Sequence, residues 1–171
     1  SLRVVFESSW EKLSEAEQKA FAALSVFRSG FTREAAEQVT GAALAPLVDK
    51  SLVQRNDARF QLHKVMRQFA QEKLSAKKKT AQQTRDSHAV YYLEWVKKFE
   101  KFDERESFPA MNKELENVRA AWAWAVEQKH IGALADIAPF TKRYMDFQGR
   151  YGEGIALFQD ALDGFASPAN A

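Results

Sequence analysis

Apolar residues recur at intervals of three and four along almost all of this 171-residue chain, and only between positions 52 and 62 does the interval fall to two. Three- and four-residue spacing turns one face of a helix toward a core, whereas alternation marks a half-buried strand. The chain is therefore expected to be mainly α, with one small β element set inside a helical order.

The first half supplies the stops and starts. A short apolar helix ends near Trp10 and Leu13, and Ser14-Glu15-Ala16-Glu17 is a capping box in which serine and glutamate each satisfy an orphan backbone amide. Ala20, Phe21, Leu24 and Phe27 form the apolar face of the helix that starts there, and Ser29-Gly30 supplies its stop. Thr32 caps a shorter helix carrying Ala35, Ala36 and Val39, closed by Gly41, and a third uses Leu44, Leu47 and Val48. The alternating stretches Leu52-Val53-Gln54-Arg55 and Arg59-Phe60-Gln61-Leu62 flank a polar turn at Asn56-Asp57-Ala58 and predict a two-stranded hairpin. Helix resumes at His63, with Met66, Phe69, Ala70 and Leu74 on one side. Helices, hairpin and closing helix in this order predict a winged-helix domain over residues 1–76.

The second half has a different texture. Residues 1–75 hold 7 of the 21 aromatic residues and 76–171 hold the other 14, so the change at Ser75-Ala76-Lys77-Lys78-Lys79-Thr80 marks either a boundary or a solvated helix face. His88, Tyr91, Tyr92, Trp95, Phe99 and Phe102 follow helical spacing, as do Phe108, Met111, Leu115, Val118, Trp122 and Ala125. Stripes of this kind are ordinarily core rather than ligand pocket. The short link Asp103-Glu104-Arg105-Glu106 predicts that these two helices run antiparallel. Leu134, Ile137, Phe140 and Tyr144 continue the pattern, and Gly149 to Phe158 opens a further helix with Ala161 and Leu162. This last pair has the small-residue crossing of a tetratricopeptide unit, so residues 77–171 are expected to form antiparallel TPR-like helical hairpins. A single copy cannot bury both its faces, and the chain opens at Ser1 in mid-pattern, so a piece of a longer protein is expected, with the array continuing past Ala171.

Little chemistry is available. There are no cysteines, which excludes disulfides, thiolate metal sites and cysteine nucleophiles. Three histidines, at 63, 88 and 130, lack metal-ligand spacing, so no metal site is expected. A P-loop is missing, Gly149, Gly152 and Gly154 lie between helices, and no Gly-x-Ser-x-Gly elbow occurs, so no catalytic residue is assigned and the segment is not expected to be an enzyme. No apolar run reaches the roughly 18 residues a membrane span needs, and a cytoplasmic setting is expected.

Charge weighs against the DNA reading that a winged helix invites. The balance is 25 basic to 23 acidic residues, and the third helix, Ala42 to Lys50, offers one lysine and one aspartate to a groove. Lys50 and the hairpin residues Arg55 and Arg59 could make only weak, salt-sensitive phosphate contacts. DNA binding by this segment is not expected, and the apolar third helix is better suited to packing on protein, as an intramolecular adaptor. The alternative is a DNA-binding winged-helix regulator whose helical half senses a ligand.

The stretch 24–36, beginning Leu24-Ser25-Val26-Phe27-Arg28-Ser29-Gly30-Phe31, then Leu47-Val48-Asp49-Lys50-Ser51-Leu52-Val53, Phe60-Gln61-Leu62-His63-Lys64-Val65-Met66-Arg67-Gln68-Phe69-Ala70 and Glu114-Leu115-Glu116-Asn117-Val118-Arg119, resembles bacterial STAND-type signalling ATPases with an NB-ARC module, of the kind found in LuxR- and SARP-type transcription regulators. The resemblance implies a nucleotide-state switch: an upstream nucleotide-binding domain in cis, ATP or ADP in the full-length protein and none held by this segment alone, and helical repeats receiving a protein or small molecule in signal transduction. It also implies that His63, at the place of a Met-His-Asp motif, senses the nucleotide, with Lys64 standing where that family has aspartate. A local cap at the strand-to-helix junction is the other reading of His63.

Overall fold

The computed structural model describes residues 2–41 and 43–168, so Ala42 of the third predicted helix lies outside the described residues. They form nine α-helices and three short strands. The chain divides into two compact units, Ser1–His88 and Ala89–Ala171.

In the first unit, α1 (Leu2–Glu11) lays Phe6 and Trp10 against Phe69, at ring-centroid distances of 5.8 and 6.1 Å. The capping box opens α2 (Glu15–Leu24) with both of its bonds in place: Glu17 N–H donates to Ser14 Oγ and Ser14 N–H to Glu17 Oε2. This helix ends at Leu24, ahead of the stop expected at Ser29-Gly30, because Ser25, Val26 and Phe27 leave the helix through single-turn bonds to the carbonyls three residues earlier. All three are buried without being helical. Thr32 and a left-handed Gly41 bracket α3 (Arg33–Thr40) as expected. Five residues make α4 (Ala45–Asp49).

The sheet has one strand more than the hairpin predicted. β2 (Gln54–Asn56) and β3 (Arg59–Gln61) pair around Asp57, whose φ of 53° gives the tight turn, and β1 (Phe31–Thr32) adds antiparallel to β3, giving the order β1-β3-β2. A two-residue strand carries no alternation a sequence reader could detect. Pairing with β3 sets Phe31 opposite Phe60. Leu52 and Val53, expected in the first strand, are instead buried in the turn leaving α4, where both amides donate to the Leu47 carbonyl. Phe69, Ala70 and Leu74 of α5 (Lys64–Ser75) complete this core, with Met66 half-buried. The helix break at residues 76–77 falls where the basic stretch begins, but the first unit runs on into α6 (Lys78–Lys97), because Ala81, Thr84 and His88 are buried in it, His88 edge-on to Phe27 at 5.4 Å.

In the second unit α6 buries Ala89, Tyr92, Leu93 and Val96, so its core stripe is turned from the aromatic one read from spacing: Tyr91, Trp95 and Phe99 are half-buried and Phe102 is exposed. A 3-10 turn at Lys98–Lys101 leads to α7 (Glu104–Glu127), capped by Asp103, whose Oδ1 accepts from Arg105 N–H at 2.9 Å. All six apolar positions expected of α7, Phe108 to Ala125, are buried, as are Leu134, Ile137, Phe140 and Tyr144 of α8 (Ile131–Phe147). α9 (Tyr151–Ala166) crosses its neighbours through glycine: a Cβ on Gly154 would lie 3.2 Å from Met145 Cβ, and one on Gly164 would overlap Val126. No helix of the described residues is long and apolar enough to cross a membrane.

Candidate functional site

His63 stands at the β3-to-α5 junction as the N-cap of α5, exposed, with Val65 N–H directed at its Nδ1 at 3.4 Å. Accepting at Nδ1 places the proton of the neutral ring on Nε2. The cap satisfies one of the orphan donors of the first turn. Lys64 is exposed beside it.

The three cations considered for DNA are held by the unit itself. Lys50 Nζ lies 2.6 Å from Glu17 Oε1, which hangs from the capping box, so the first turn of α2 and the end of α4 are tied by one ion pair. The hydrogen bond from Lys50, and then that from the Ser14 backbone, hold the Glu17 carboxyl below its ordinary range. Arg59 donates from Nη2 to the Gly30 carbonyl at 2.6 Å, clamping the β1 approach to β3, and Arg55 donates from Nε to the Asp57 carbonyl at 3.0 Å across the hairpin turn. Leu44 and Leu47, which made the third helix look like an outward apolar surface, are 1% and 0% exposed and belong to the unit's own core. A helix of five residues has too few turns to present one face inward and another to a partner.

A second cluster was not legible in the sequence. Arg28, Lys64 and Arg67 line one cavity of about 240 Å³, together with Gln61, Phe27 and Phe31. Arg67 Nη1 donates to the Arg28 carbonyl at 2.9 Å, which draws the α2–β1 link to the first turn of α5. Burial, followed by the charges of Arg67 and Arg85, pushes the Arg28 guanidinium below its ordinary value. Lys64 and Arg67 are three apart on α5 and so share a face, but Arg28 lies 39 residues before Arg67, and no local spacing unites the three.

The second unit holds two features of its own. Glu114 is buried, and its Oε2 accepts from Tyr92 Oη at 3.1 Å and Asn117 Nδ2 at 2.9 Å. Between α8 and α9 runs an open groove of about 820 Å³, floored by Ala135, Ala138 and Pro139, beside which Tyr151, Ile155 and Leu162 are 62%, 71% and 64% exposed. No group of three His, Cys, Asp or Glu placed to hold a metal occurs among the described residues.

The chain is 29% identical over 180 residues to proteins named "Putative HTH-type transcriptional regulator" in Mycobacterium tuberculosis and Mycobacterium bovis. The match covers 95% of this chain and 20% of each relative, so the chain spans about a fifth of the length of the curated relatives it matches. No family model matches it, and no solved structure does.

Proposed function

We propose that this chain is a non-catalytic regulatory segment of a longer transcription regulator, with a winged-helix adaptor over residues 1–76 and a TPR-like, partner-receiving surface over 77–171. The observation that carries this reading is the internal engagement of the cations. Lys50 and Arg59, the side chains a groove-reading domain would have to extend, are held by Glu17 and the Gly30 carbonyl. The third helix, which ends just before Lys50, has its leucine buried. Neutralising phosphates requires cations free to reach them. The DNA-reading element in the relatives' name is accordingly assigned to the four fifths of those proteins lying outside the matched segment.

The nucleotide switch belongs to the same proposal. An Nε2–H on His63, directed outward by the cap at Nδ1, is a suitable donor to a phosphate oxygen brought by a nucleotide-binding domain in cis. Lys64, in place of an aspartate, adds positive charge beside it. ATP or ADP would be held by that domain, and His63 would report its state to the adaptor.

An electrophoretic mobility-shift series with rising salt tests the proposal. The 171-residue chain should give no sequence-selective complex at physiological salt. A selective complex that is lost on combined substitution of Lys50, Arg55 and Arg59 by alanine would instead establish the alternative, a winged helix that reads DNA itself.

A further inference from the structure

We infer that the open groove between α8 and α9 is the contact face of a homodimer, filled in solution by α9 of a second copy of this chain. The inference rests on the reading of residues 77–171 as a partner-receiving surface, and it names the partner.

Tyr151, Ile155, Phe158 and Leu162 follow one another along α9 at intervals of four, three and four, the spacing of a seam that packs against another helix. Phe158 is half-buried, and the other three project from the unit. Beside them α8 offers the small side chains Ala135 and Ala138, so the groove has knobs on one wall and holes on the other. One face therefore carries both halves of a knobs-into-holes contact. A two-fold axis running midway between the helices and parallel to them sets α9 of each copy over α8 of the other. Gly154 packs on Met145 and fixes the relative height of α8 and α9, so Leu162 of one copy arrives over Ala135 and Ala138 of the other.

Charge favours a second copy over a strongly acidic or basic partner. Of the residues lining the groove only Lys142 and Asp146 are charged, and they neutralise each other in an i,i+4 pair. A face of one sign repels its own copy, whereas this one carries no net charge and offers a charged partner no counter-charge. The formal net charge of +2 adds little repulsion at long range. Area sets the strength. A helix of sixteen residues is about 24 Å long and about 10 Å across, so α8 and α9 of two copies bury on the order of 1,000 Å², the lower limit for a specific contact. A dissociation constant of about 10–100 µM is expected at that limit, and at about 1 µM the monomer prevails.

Analytical ultracentrifugation of the 171-residue chain from about 1 to about 500 µM tests the pairing. The mass should rise from one chain to two and stop there, because a two-fold contact closes on itself. Ile155→Ser and Leu162→Ser, at exposed positions, should each weaken association at least tenfold, since the two-fold repeats every substitution. Ala135→Arg fills the hole on the other wall and should weaken it as much. Circular-dichroism unfolding of these variants at about 1 µM should match the parent chain, which separates lost pairing from lost folding. Val4→Ser and Phe147→Ser remove apolar side chains that are 65% and 72% exposed outside the groove, and should leave association unchanged. The proposal is overturned by growth beyond two chains, by association unchanged in Ile155→Ser and Leu162→Ser, or by equal weakening in Val4→Ser or Phe147→Ser. A chain that stays monomeric at about 500 µM also overturns it, and leaves standing the regulatory reading, which the mobility-shift series tests.

Discussion

α4 and α9 both carry leucine, yet one helix keeps its leucine inside and the other shows one. Leu47 is fully buried, whereas Leu162 is 64% exposed, with Ile155 and Tyr151 exposed along the same helix. α4 has five residues and ends in a turn whose amides donate back to the Leu47 carbonyl, so its leucines are fixed inside the first unit. α9 has sixteen residues, and contacts through Gly154, Phe158, Ala161 and Gly164 secure it on one side while the other remains open. Apolar content therefore does not indicate a partner surface. What matters is whether a helix has more apolar circumference than its own unit can cover.

The sharpest way to break this comparison is to shorten both leucines. Leu47→Ala removes buried methyls and should cost about 2–5 kcal/mol, read as a lowered urea midpoint. Leu162→Ser should stay within about 0.5 kcal/mol of the parent chain. Equal losses would mean that α9 is as tightly covered as α4.

The units also differ in where they keep polar groups. In the second, the Glu114 carboxylate is buried with Tyr92 and Asn117 as donors, while in the first the capping box and the Lys50 ion pair sit at the surface. Tyr92→Phe withdraws a donor from a buried carboxylate and should cost about 1–3 kcal/mol in the same assay. Ser14→Ala should cost about 1 kcal/mol, and Ser14→Gly only a few tenths.

The smallest effect belongs to Lys50. Since the Glu17 carboxyl is held below its ordinary value, chiefly by the hydrogen bond from Lys50, its contribution to stability is present above the unfolded value and disappears as pH falls through the folded one. Lys50→Ala should therefore lower stability slightly at neutral pH and not at all below the folded value, which flattens the acid limb a little. A larger loss at neutral pH than that of Ser14→Ala would show that this surface tie matters more than the cap it hangs from.

Much of the local order was legible because its causes lie within a few residues. Ser14 with Glu17 and Thr32 with Gly41 specify helix ends through their own backbone partners, and the six buried positions of α7 repeat every three or four residues. Features whose deciding partner is remote are not legible in the sequence. β1 exists because β3 lies beside it, and the stripe on α6 is rotated because the residues it packs on, not its aromatic content, choose the inward face. At the candidate sites, the sequence around His63 fits both a sensor and a cap, and the ring accepts from Val65 N–H as a cap. No local spacing pairs Lys50 or Arg59 with a partner, yet Glu17, 33 residues away, and the Gly30 carbonyl, 29 residues away, engage them.

The sequence by itself determined a cysteine-free, mainly helical chain, the positions of its caps and turns, and the apolar residues of α7 and α8, since each of these follows from short-range periodicity and backbone bonding. Only the tertiary structure decided which cations are engaged, that the α4 leucines face inward, and that Arg28, Lys64 and Arg67 converge on one cavity. Charge and burial are properties of neighbours in space, and those neighbours lie tens of residues apart along the chain.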